Sequence, residues 1–163
     1  MLKKTLIALC AALISGLTIY TLWFNHAAAP AVKITSLSGQ QLSLNELKGN
    51  VVLVNFWATS CSACIEEMPK LKELHHAFSG RNVTILAIAM SYDTPHYVQT
   101  FIRHSPLPFF VAIDTHGTIA HAFDRVQLTP TTFLIGPDNT IIKRYVGSID
   151  EDEIRQLIET YLK

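Results

Sequence analysis

Cys61 and Cys64 stand three residues apart as Cys61-Ser62-Ala63-Cys64, just after the apolar run Val51-Val52-Leu53-Val54-Asn55-Phe56-Trp57. Two thiols at that spacing can form and open a disulfide without large backbone movement. The segment that begins at Cys61 repeats its apolar residues (Ile65, Met68, Leu71, Leu74, Phe78) at helical spacing, so Cys61 falls at a helix N-terminus. Free backbone N–H groups and the positive end of the helix dipole favour an anion there, and the thiolate is the reactive form in thiol–disulfide exchange. Cys61 is the candidate nucleophile. Cys64, one turn further in, is the candidate resolving thiol. Two other readings use the same residues. A structural disulfide would close a tiny loop and constrain the unfolded chain little. Half a zinc site could enlist His75 and His76, but these are adjacent, not spaced by roughly three to five residues as a zinc ligand pair is, and no metal site is assigned.

Such a pair needs a rigid frame, and the flanking residues supply one. Val51 to Trp57 reads as a strand covered on both faces, and Val83 to Met90 as a second. With the Cys61–Phe78 helix between them they form a βαβ unit, whose crossover is right-handed. Pro69 lies inside that helix and is expected to kink it. Leu37 to Leu42 reads as a short hairpin turning at Gly39, and Leu44 to Gly49 as one helical turn. Asp93-Thr94-Pro95 opens a helix to His104 in the N-cap and first-turn pattern, Phe109 to Ile113 is a third strand, and Gly117 to Phe123 a short helix. Thr131–Ile135 and Thr140–Val146 flank the turn Gly136-Pro137-Asp138-Asn139 as an antiparallel hairpin, and Asp150 to Leu162 closes the chain as an amphipathic helix. The class is α/β, with a mixed sheet and helices on both sides. Tyr92-Asp93, just after the second strand, falls near the rim of the cysteine pair, with nothing in the sequence to fix its contacts.

Composition narrows the function classes. The 163 residues suit one domain, and 49% apolar content can bury a core, which excludes disorder. Thirteen basic side chains balance 13 acidic ones, so there is no basic excess of the kind a nucleic-acid binder shows. Charged residues are only 16%, against about 25% in soluble domains. The apolar excess lies at the start: Lys3 and Lys4 precede Thr5 to Phe24, which carries no charge and would rise roughly 30 Å as a helix, the thickness of a bilayer core. Residues 1–29 are expected to be a signal-anchor and short linker with a cytoplasmic N-terminus, and residues 30–163 the exported domain. A cleaved signal peptide is the competing reading; Ala27-Ala28-Ala29 offers small residues, but Pro30 follows directly. Cys10, within the apolar run, reads as a small buried hydrophobe.

The segment Phe56-Trp57-Ala58-Thr59-Ser60-Cys61-Ser62-Ala63-Cys64, with Pro69 five residues on, resembles the active-site segment of thioredoxin-fold proteins. It is most similar to that of the membrane-anchored TlpA/ResA/CcmG-like thiol–disulfide oxidoreductases. Thr129-Pro130-Thr131-Thr132-Phe133-Leu134-Ile135 resembles that family's cis-proline strand start, and the resemblance spans the whole exported part. It implies a thioredoxin-like α/β fold, a mixed central sheet flanked by helices, with an N-terminal β-hairpin and a helix–strand insert from Pro95 to Ile113. Pro130 would be the cis-proline facing the cysteines, with the Thr129 backbone open to a substrate strand; an ordinary trans proline opening a strand is the alternative. Glu67 matches the buried glutamate of the ResA-like group, a shuttle for the proton that Cys64 must lose; a solvated helix charge is the alternative. Glu66 is read as solvated. Asn55 takes the place of the buried aspartate of cytosolic thioredoxins and, being an amide, cannot accept that proton.

By this resemblance the chain is an extracytoplasmic thiol–disulfide oxidoreductase, reducing disulfides in exported proteins, haem-binding cysteines of apocytochrome c among the candidates. It would sit in the cytoplasmic (inner) membrane through one N-terminal helix, with its catalytic domain in the periplasm, and be re-reduced by a membrane electron donor of DsbD/CcdA type. No cofactor beyond the cysteine pair is implied. Ser62-Ala63 lacks the histidine of strongly oxidising relatives, which favours a reductant. Ser60 replaces a tryptophan common before the first cysteine, opening the surface there. A disulfide donor or isomerase of the same fold and a non-catalytic binding module are the alternatives. A peroxidase fits less well, since Thr59 is one position off the peroxiredoxin arrangement.

Overall fold

The computed structural model describes residues 27–162 of the chain. Residues Lys33–Thr35 (β1) and Gln41–Ser43 (β2) pair antiparallel, and a 3-10 turn, Leu44–Leu47, follows. Then come β3 (Val51–Trp57), α1 (Ser62–Ala77), β4 (Val83–Ala89), α2 (Pro95–His104), β5 (Phe110–Ile113), α3 (Thr118–Ala122), β6 (Thr131–Ile135), β7 (Ile141–Val146) and α4 (Glu151–Tyr161). The main sheet has the order β5-β4-β3-β6-β7. β3, β4 and β5 run parallel, while β6 is antiparallel to β3 and β7 to β6. This is the mixed sheet expected from the sequence.

β3 lies at the centre of the sheet, and every one of its residues is buried. That is why it reads as a continuous apolar run and not an alternating one. Its residues feed two cores. Val51, Leu53 and Trp57 pack with Met68, Leu71 and Leu74 of α1, Val98 of α2, and Ile154 and Ile158 of α4. Val52, Val54 and Phe56 pack with Ile119, Phe123 and Phe133 and with Ile34 and Leu44 of the N-terminal segment. Helices therefore cover both faces. The end of β3 is clamped on each side by rings: Trp57 meets Phe101 at 5.2 Å, and Phe56 meets Phe123 edge-on at 5.3 Å.

The hairpin strands lie a few residues outside the expected run, at 33–35 and 41–43, because Gly39 (φ +85°) turns a longer loop. Beyond β1, Ser36 bridges to Ala112 and the Leu37 N–H donates to the Val111 carbonyl at 2.9 Å. This covers the outer edge of β5, which would otherwise offer unpaired backbone groups. Upstream, Ala28 bridges to Thr140 and the Ala29 N–H donates to the Asn139 carbonyl, so the chain is tied to β7 before Pro30. α1 is continuous through Pro69, which sits on its exposed side. The apolar run Thr5 to Phe24 lies outside the described residues; among the described residues no helix is long and apolar enough to cross a membrane.

Candidate active site

The β3–α1 junction places the cysteines. Cys61 has extended backbone and occupies the N-cap position of α1, where its Sγ accepts from the Cys64 N–H at 3.1 Å. A second tie, Cys61 N–H to the Ala58 carbonyl at 3.2 Å, closes the turn that lifts Cys61 off the strand. The two cysteines form a disulfide with their Cα atoms 5.2 Å apart. Their surroundings are unequal. Cys64 is fully buried, while Cys61 is partly exposed beside the open side chain of Ser60. An incoming disulfide can reach only Cys61, and it is Cys61 that faces helix N–H groups able to stabilise a thiolate.

The opposite lip is the segment before β6. The Thr129–Pro130 peptide is cis, and the Thr129 carbonyl oxygen lies 3.5 Å from Cys61 Sγ. Two bonds hold this lip: Thr131 Oγ1 donates to the Leu128 carbonyl at 2.8 Å, and the Gly147 N–H to the Pro130 carbonyl at 2.9 Å. Leu128 and Tyr92 flank it as large exposed side chains, and the Tyr92 hydroxyl is 3.2 Å from Thr129 Oγ1. The structure thus brings Cys61, Cys64, Thr129 and Pro130 to one place.

Glu67 is buried, one turn beyond Cys64 on α1, whereas Glu66 is exposed. Its Oε1 accepts from the Ile149 N–H at 2.7 Å and its Oε2 from Asn55 Nδ2 at 2.9 Å. Burial pushes its carboxyl above the usual carboxylate range, and these two donors and Lys70 oppose the rise. Asn55 Nδ2 also donates to Thr132 Oγ1 at 2.9 Å, and Asn55 Oδ1 has no partner among the described residues. An acid so placed, three residues after Cys64 on the same helix and shut off from solvent, can hold or release a proton inside the core.

Two contacts of the site are not readable from the sequence. Ile149, from the turn between β7 and α4, gives only its backbone N–H, for which no side-chain signal exists. Asp93 looked like a helix-opening residue, yet Thr94 is the N-cap of α2 and makes no side-chain cap bond. Asp93 is instead buried and turned to Thr59: Oδ2 accepts from the Thr59 N–H at 2.6 Å and Oδ1 from the Thr59 hydroxyl at 2.7 Å. His75 packs edge-on to Phe109, and burial with the neighbouring His76 lowers its pKa. Among the described residues no three His, Cys, Asp or Glu side chains are grouped to hold a metal ion.

Comparison with known proteins agrees with this arrangement. The model of the AhpC/TSA family matches residues 26–144. The thiol–disulfide oxidoreductase ResA of Bacillus thuringiensis subsp. konkukian is 33% identical over 97% of this chain and 91% of its own length. ResA of Bacillus subtilis is 31% identical over 91% of this chain and 84% of its own. A solution structure described as a thioredoxin of Neisseria meningitidis superimposes with a TM-score of 0.76 at 36% identity, covering 82% of this chain and 88% of that one. The thiol:disulfide interchange protein DsbE of Chlorobium tepidum superimposes with a TM-score of 0.77 at 23% identity, over 85% and 97% of the two chains, and speaks for the thioredoxin-like fold alone.

Proposed function

This chain belongs to the AhpC/TSA family, as a relative of the ResA thiol–disulfide oxidoreductases, and from that premise we propose that it reduces disulfides in exported proteins, with Cys61 attacking and Cys64 resolving. Thiol–disulfide exchange on disulfide-containing substrates is its activity; the direction, the roles of the residues and the location are the present reading. The observation that carries it is the inequality of the two sulfurs, one partly exposed on a helix N-cap and 3.5 Å from the Thr129 carbonyl, the other fully buried.

The cycle follows from that inequality. With both cysteines reduced, the Cys61 thiolate attacks one sulfur of a substrate disulfide, and the other substrate sulfur leaves as a thiolate and takes a proton. Thr129 and Pro130 hold the substrate backbone beside the new mixed disulfide. Cys64 then gives its proton to Glu67 and attacks Cys61 Sγ, so the second substrate sulfur leaves. Two electrons have passed to the substrate, and the pair is left as the disulfide seen here. Resetting it takes two electrons and two protons from a dithiol donor, for which a membrane carrier of DsbD/CcdA type is the candidate. Residues 1–29 tether the domain, residues 30–163, to the outer face of the cytoplasmic membrane.

The absence of a histidine between the cysteines favours a reductant over a disulfide donor or isomerase. The Thr59 hydroxyl is engaged by Asp93, which speaks against its serving a peroxide-reducing cysteine. The test is the redox state of the pair in cells, trapped by alkylation, with the reduction potential of the purified chain. A mostly reduced pair and a potential near thioredoxin's, about −270 mV, are expected; a mostly oxidised pair with a potential near about −120 mV would make the protein a disulfide donor.

A further inference from the structure

A buried carboxylate without a cation is costly unless its lone pairs are bonded, so its partners indicate what it is for. Asp93 is only 6% exposed, and among the described residues no Lys, Arg or His nitrogen forms an ion pair with it. Asp114, also buried, has an ordinary structural use: its two oxygens accept from the Ile119 and Ala120 N–H groups at the start of α3. Asp93 caps no helix. Both its oxygens serve one residue, Thr59, in the three-residue link Ala58-Thr59-Ser60 that carries Cys61. Its neighbour Tyr92 reaches Thr129 on the opposite lip. The loop after β4 therefore grips both sides of the redox pair.

We propose that Asp93 is a positioning residue for Cys61: through Thr59 it fixes the turn that holds this sulfur against Thr129, and its charge beside that turn weakens the Cys61 thiolate, so the pair gives up electrons more readily. The inference rests on the reading of Cys61 as the attacking thiol. The N-terminus of α1 stabilises the thiolate, and a fixed anion one short link away opposes it. A dithiol whose thiolate is less stabilised is the stronger reductant, the converse of oxidants whose reduced form is stabilised. Among the described residues, the neighbouring titratable groups include Tyr92 on the same loop and Cys64, Glu66, Glu67 and Lys70 on α1, and all remain in every variant below.

The test compares Asp93→Asn, Thr59→Ala and Thr59→Ser in the reduced full chain. Asp93→Asn keeps both bonds, with the Thr59 hydroxyl turned to accept from the amide, and removes only the charge. Alkylation by iodoacetamide is followed against pH, with the labelled cysteine located by peptide mass spectrometry, and insulin reduction is measured alongside. In Asp93→Asn the inflection for Cys61 moves down by about one pH unit, as for loss of a neighbouring like charge, and alkylation near neutral pH quickens about three- to fivefold. Thr59→Ala slows insulin reduction severalfold while its Cys61 inflection stays near that of the unaltered chain, and Thr59→Ser, which retains both donors, rescues the rate. An inflection unchanged or raised in Asp93→Asn, with the label still on Cys61, overturns the inference, as do equal insulin rates for Thr59→Ala and Thr59→Ser. If the label enters Cys64 first in the unaltered chain, the reading beneath it fails instead.

Discussion

Replacing Asn55 by Ala tests how Glu67 is held. Asn55 is fully buried and is the one side chain among the described residues that donates to Glu67. The substitution removes a hydrogen bond to a carboxylate, typically about 2 kcal/mol, and a neutral one to Thr132, about 1 kcal/mol. Relief of the unpartnered Asn55 Oδ1 roughly offsets the small void left behind. The net cost is about 3 kcal/mol when Glu67 is ionised, or a fall in Tm of about 10 °C for a domain of this size. The cost must also depend on pH. Burial raises the folded-state pKa of Glu67 above its ordinary 4.5, so the native state keeps a proton that the unfolded chain has lost. The contribution of Glu67 to stability is therefore fully present below 4.5 and declines as pH rises through the folded-state value. Asn55 opposes that rise, and without it the decline is deeper. Urea unfolding of the reduced chain should thus give a loss of about 3 kcal/mol near pH 8 but only about half that near pH 4, with unchanged m-values. The same loss at both pH values would show that Asn55 does not support a Glu67 carboxylate.

Other consequences are simpler to read. Cys64→Ser leaves the attacking sulfur without its resolver, so mixed disulfides with substrate should accumulate on Cys61, whereas Cys61→Ser should trap none and lose insulin reduction; unchanged activity of Cys61→Ser would make the cysteines structural. Glu67→Gln cannot take the Cys64 proton, so single-turnover release of substrate dithiol should slow by about 10²-fold, within the usual range for general-base loss, while formation of the mixed disulfide keeps its rate. Burial and the charge of Glu153 push Tyr145 up to about 12, so ultraviolet titration should show a tyrosine step near that pH that Tyr145→Phe removes. Its contribution to stability is then lost as pH rises from 10 towards 12, and Tyr145→Phe should flatten that decline.

The redox pair and its frame were legible because their signals are local. A continuous β-branched run gives β3, apolar residues at helical spacing give α1, and the junction between them puts Cys61 on an N-cap. The two lips of the site come from residues 68 positions apart, Cys61 and Thr129, and only a motif resemblance linked them in advance. What remained hidden is long-range and polar. Whether Glu67 faced solvent or core depended on the turn at Ile149, whose backbone N–H reaches it from 82 residues away. The place of Asp93 near the rim is legible but its partner is not, since Asp-Thr-Pro is a credible helix opening and nothing nearby in sequence announces Thr59, 34 positions earlier. The hairpin strands reach beyond residues 37–42 for a related reason: Leu37 looks like a strand residue, but its N–H goes to the edge of β5.

The central claim is that Cys61, and not Cys64, carries a stabilised thiolate. Thiolate absorbance of the reduced chain against pH measures it directly. One thiol is expected to ionise below about 8.5, the value of free cysteine, with that step absent in Cys61→Ser and retained in Cys64→Ser. Ionisation of every thiol at or above that value, or loss of the early step in Cys64→Ser, would contradict it.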